Sequence, residues 1–78
     1  MTGENVFVAG NCKELAEGRS VTVDATMYTV DELLHLASCA ETSTHPVSLT
    51  ISKSAGLTDT DKTKIRAGTP TKNRVRFQ

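Results

Sequence analysis

The sequence predicts a small α/β (or α+β) domain of two layers: three or four short strands, with two helices on one face, in the order β-β-α-β-α-β. Three observations predict it. Segments 21–24 and 47–52 alternate apolar and polar residues, the period of a half-buried strand. Each is followed by a Thr-x-x-acid pattern of the kind that opens a helix. The unit also recurs. Val21-Thr22-Val23 and its helix start match Leu49-Thr50-Ile51 and its own, and Leu36 matches Ile65, at an offset of about 28 to 29 residues. Solenoid repeats have periods in this range, but the leucine-rich consensus is missing and two copies are too few for a solenoid. The simpler reading is two successive strand–helix units within one domain spanning residues 1–78.

The elements follow in order. Residues 5–9 form a short apolar run that reads as a strand ending at the turn signal Gly10-Asn11. Residues 12–17 suit one or two helical turns, stopped by Gly18. Thr29-Val30-Asp31-Glu32 is a capping box, and Val30, Leu33, Leu34 and Ala37 follow the i, i+3, i+4, i+7 rule behind it. A helix over 30–40 results. Residues 42–46 form a loop, because His45 precedes Pro46 and is pushed to extended geometry. Thr58-Asp59-Thr60-Asp61 caps a second helix over 59–67, anchored by Leu57 and Ile65; Gly68 ends it and Pro70 blocks continuation. Val75 and Phe77 alternate with Arg74, Arg76 and Gln78 in a final strand.

Alternation bears on function. Parallel sheets are usually covered on both faces and read as continuous apolar runs, whereas these strands alternate. If the strands lie in sequential order, right-handed crossovers put both helices on one face. Thr22, Asp24, Ser48, Thr50, Ser52, Arg74 and Arg76 then line an open, polar second face. An antiparallel sheet would explain the same pattern.

Charge is divided by position. Residues 1–45 carry seven acids against two bases, and residues 46–78 carry seven bases against two acids, so a formal net charge of zero conceals a dipole. Between Lys62 and Arg76 there are six bases and no acid. Such a field governs association and orientation. The expected function is that of a non-enzymatic protein–protein interaction module of adaptor or inhibitor type. It would bind a protein partner, or a second copy, through Thr50, Ser52, Lys62, Lys64, Arg66, Lys72, Arg74 and Arg76. The alternative is nucleic-acid binding by the basic 62–76 segment, since Lys and Arg contacts to phosphate drive nonspecific association. No aromatic residue is interleaved there for base stacking, and no recognition-helix or zinc-finger pattern appears.

Other chemistries have little support. His35 and Cys39 are spaced i, i+4, and Cys12 and His45 could complete four zinc ligands, but no Cys-x-x-Cys pair exists. A surface histidine and a half-buried cysteine are expected instead, and no metal or cofactor. The two cysteines read as free thiols in a cytoplasmic protein, or as one bridge in an exported one. Ser54-Ala55-Gly56-Leu57 lacks the spacing of a phosphate loop, and Asp59-Thr60-Asp61 lacks the later ligands of a calcium loop. No nucleophile–base motif marks a catalytic residue. The start lacks the basic-then-apolar pattern of a secretory leader, and no apolar run is long enough to span a membrane.

Overall fold

The computed structural model describes residues 6–78, which alternate helix and strand throughout: α1 (Val6–Ala16), β1 (Val21–Asp24), α2 (Val30–Thr42), β2 (Leu49–Ser52), α3 (Asp59–Arg66) and β3 (Val75–Phe77). The strands form one parallel sheet in the order β1-β2-β3. Val21 pairs with Leu49 and Asp24 with Ser52. The offset of the sequence repeat is thus the register of the sheet. Each of the first two strands runs into a short 3-10 turn, Ala25–Met27 or Ser54–Gly56, and then into a capped helix. The repeat is therefore built as two equivalent units lying side by side.

Both capping boxes form. The Thr29 hydroxyl accepts from the Glu32 amide at 3.1 Å while the Glu32 carboxylate accepts from the Thr29 amide at 2.7 Å. Thr58 and Asp61 repeat this arrangement at α3. Such caps satisfy amides that have no partner inside the helix.

The first element is corrected. Residues 6–9, expected to be a strand, are the opening of α1; Asn5 lies outside the described residues. An apolar run this short cannot be assigned by periodicity alone. The helical pattern lies in its continuation: Val8 and Leu15 are buried with Cys12 half-buried between them, at i, i+4, i+7. Gly10-Asn11 does not break the helix. Gly18 does, at a φ of 98°, where the Arg19 amide reaches back to the Glu14 carbonyl and the Gly18 amide to that of Leu15. Among the described residues the sheet accordingly has three strands, with three helices against it.

The helices form one layer and the strands the other, giving a body of 31 × 30 × 17 Å. The core lies between them. Leu33, Leu36, Leu49, Ile51 and Ile65 are fully buried, with Val23 and Val75 nearly so. α2 is the central helix, packed against α1 on one side and α3 on the other. A Cβ at Gly68 would sit 2.9 Å from the Leu34 carbonyl oxygen and 3.0 Å from the Ala37 Cβ, so the chain leaving α3 closes onto α2 where only glycine fits. No helix among the described residues is long and apolar enough to cross a membrane.

Candidate functional site

Among the described residues, no helix covers the second face of the sheet. Alternation along the strands turns Val21, Val23, Leu49, Ile51, Val75 and Phe77 toward the helices, and Thr22, Thr50 and Arg76 toward the other side, where register sets these three in one row. Asp24 and Ser52 form the next row. Thr22 and Arg76 are exposed and Thr50 is half-buried. Ser52 is anchored rather than free, its hydroxyl donating to the Val23 carbonyl at 3.1 Å. Asp24 is likewise engaged. The Thr26 hydroxyl and amide donate to it at 2.6 and 2.8 Å, and Lys53 Nζ stands 3.3 Å away. The Thr26 hydroxyl above all holds its carboxyl below the usual aspartate range.

The basic segment does not form one patch. Lys64 reaches across to α2 and pairs with Asp31 at 2.9 Å. Arg66 and Lys62 lie over the Phe77 ring, 4.9 and 5.8 Å from its centroid, and shield the aromatic residue of the edge strand. Arg74 is a correction. Alternation placed it on the open face, but its guanidinium turns toward the C-terminus of α2. There it donates to the Ala40 carbonyl at 2.7 Å and the Ser43 carbonyl at 3.1 Å. Those carbonyls lack partners inside the helix, and a cation at a helix C-terminus also meets its dipole favourably. Lys72 and Arg76 remain exposed.

Sequence reasoning missed the network around Arg74. Glu41 accepts from the Thr69 hydroxyl at 2.8 Å, from the Thr71 hydroxyl, and from the Lys72 amide at 3.1 Å. Thr69 is fully buried, and its hydroxyl also accepts from the Arg74 amide at 3.1 Å. Ser43, also buried, donates to the Leu15 carbonyl at 2.7 Å and so ties the end of α1 to the end of α2. In the sequence Glu41, a single acid in the last turn of α2, is only one of the acids of the acidic half. No local pattern links it to residues about thirty positions on.

These bonds, the Thr71 hydroxyl first among them, hold the Glu41 carboxyl below the usual range for glutamate. A carboxyl whose folded pKa is depressed contributes stability that is present above its unfolded pKa and lost as pH falls through the folded one. Glu41→Gln is therefore expected to melt below the wild type at neutral pH. The gap in melting temperature should narrow as the pH falls below the usual range for a glutamate and the carboxyl is protonated. A gap that is constant with pH would show that the ionised carboxylate is not what holds the 69–73 loop.

The cysteines are also corrected. Cys12 and Cys39 form a disulfide, with their Cα atoms 5.4 Å apart, and Cys39 is 8% exposed. The expectation of free thiols in a cytoplasmic protein rested on compartment alone. With residues 6–11 helical, α1 extends across α2 and lays Cys12 over Cys39. His35, one turn before Cys39 on α2, is exposed and completes a cluster in which the two sulfurs and a ring nitrogen lie within 4.8 Å of one another. His45, the fourth residue the sequence offered, is not part of it. It packs against Gly18 beyond the end of α1. A shallow hollow of about 230 Å³ lies beside the cluster, lined by Val8, Asp31, Glu32 and His35.

Comparison with family models, with curated proteins and with solved structures finds no match to this chain.

Proposed function

We propose that the chain is a small non-enzymatic interaction module that binds a protein surface through the uncovered face of its sheet. The observation that carries this reading is the row Thr22–Thr50–Arg76 on a sheet whose helices, among the described residues, all lie on the other side. Parallel sheets are ordinarily covered on both faces, so a polar one left open is a place for a second layer to dock. Arg76 and Asp24 stand on opposite edge strands of that face. A two-fold axis running along the strands would set β1 of one copy over β3 of the other and bring these opposite charges together. A second copy is thus the partner for which the face itself supplies an acid opposite Arg76, one that Lys53 holds at 3.3 Å within the chain. The Cys12–Cys39 bridge is of a kind that persists in an oxidising compartment rather than in the cytosol. Nucleic-acid binding has less support, since Lys64, Arg74, Lys62 and Arg66 all have partners within the chain.

Sedimentation of the purified chain over a concentration and salt series tests the proposal. The average mass is expected to rise with concentration at low salt and to fall as salt screens the contact. Arg76→Glu should abolish the rise while leaving the melting temperature unchanged. A chain that stays monomeric throughout removes self-association. Salt-steep binding to a labelled duplex would instead move the function to the basic segment.

A further inference from the structure

The Cys12–Cys39 bridge and His35 concentrate soft donor atoms at one point on the helical layer, away from the open sheet face. Two helices hold them there. α2 sets His35 and Cys39 one turn apart, and α1 brings Cys12 over that turn. Thiolate and imidazole are the ligand types that zinc selects. Zinc takes sulfur at about 2.3 Å and imidazole nitrogen at about 2.0 Å, so tetrahedral donors stand roughly 3.5–3.8 Å apart. Donors already within 4.8 Å of one another reach that spacing by side-chain rotation once the sulfurs are released from their bond. The ring of His35 is exposed and has room to turn. The acids across the hollow are engaged elsewhere: Asp31 with Lys64 at 2.9 Å, and Glu32 with the Thr29 amide at 2.7 Å. Three protein donors leave a fourth position on the ion for water or a further ligand.

We propose that the reduced chain binds one zinc ion through Cys12, His35 and Cys39, and that the disulfide and the bound ion are alternative states of the same site. A dithiol reductant supplies two electrons and two protons, converting the disulfide to two thiols as the dithiol becomes a disulfide. Zinc then displaces both thiol protons to solvent, and His35 donates a ring nitrogen. Two thiolates balance the charge of the ion. Oxidation of the thiols by a disulfide of the glutathione class runs the sequence backward and releases zinc. Either state ties α1 to α2, by a covalent bond or by shared coordination, so the cross-link persists as the redox environment changes. This proposal does not depend on the function of the sheet face.

Zinc itself is the probe. Reduced wild-type protein, titrated against a chromophoric chelator and weighed by native mass spectrometry, is expected to hold one ion per chain. Oxidised protein should hold none. Cobalt in place of zinc should show thiolate-to-metal charge-transfer absorption, and bound zinc should protect both thiols from alkylation. His35→Ala alters an exposed residue and leaves both cysteines in place. It should weaken zinc binding at least about tenfold, the loss that follows removal even of a group supporting a ligand. Three results would overturn the proposal: a reduced chain that takes up no zinc, whether circular dichroism finds it folded or not; equal uptake by the oxidised chain; or unchanged affinity in His35→Ala.

Discussion

Leu36→Ala is expected to lower the free energy of unfolding by about 3 kcal/mol and the melting temperature by roughly 12–24 °C. Leu36 is fully buried on the central helix, in the layer where α2 meets the sheet, and its removal leaves a void that flanking helices cannot close without losing their own contacts. For a chain of 78 residues, whose whole stability is about 4–12 kcal/mol, the loss is a large fraction of the total. Urea titration with an unchanged m-value is the measurement. Ile65, fully buried at the equivalent place in the next unit, should behave alike on replacement by alanine. A cost below about 1 kcal/mol at Leu36 would mean that the space between helices and sheet is not packed to the density of a protein interior.

Arg74→Ala should destabilise the protein by about 2 kcal/mol, whereas Arg76→Ala, two residues away, should change stability by no more than about 0.5 kcal/mol. The first guanidinium donates to two carbonyls at the end of α2, in a half-buried position where water does not readily replace it. Its loss leaves both acceptors short of a partner and frees β3 from the central helix. Arg74→Lys should recover only part of the loss, because an ammonium lacks the planar fork that spans both carbonyls. The second guanidinium is exposed on the open face and has no partner among the described residues that would be missed on its removal. Parallel denaturation curves for the two variants separate the roles. Equal losses would refute the assignment of Arg74 to structure and Arg76 to binding.

Reversing both arginines at once would therefore confuse unfolding with loss of binding. Alternation alone placed them on the same face, and this is where reasoning from period fails. Arg74 lies just before β3, next to Asn73 at a φ of 48°, and there the backbone no longer follows the strand. Period-2 arguments hold only while the chain is extended. The same limit applies at the N-terminal end. The apolar run at 6–9 fits a strand or a helix equally well, and what makes it helix is burial of Val8, Cys12 and Leu15 against α2.

By itself the sequence determined β1, β2, β3, α2 and α3, both capping boxes, and the spacing that becomes the register of the sheet. These follow from signals confined to a few residues: a period, a cap, a glycine or proline that stops an element. It also determined that one face of the sheet would be polar. Tertiary structure decided the rest. It fixed the strand order β1-β2-β3, made residues 6–9 helical, turned Arg74 away from the open face, joined Glu41 to a loop some thirty residues on, and brought Cys12 to Cys39 and His35. Each of these depends on which elements become neighbours. That choice is made by burying the apolar faces of three helices and a sheet together, and no window of a single chain segment contains it.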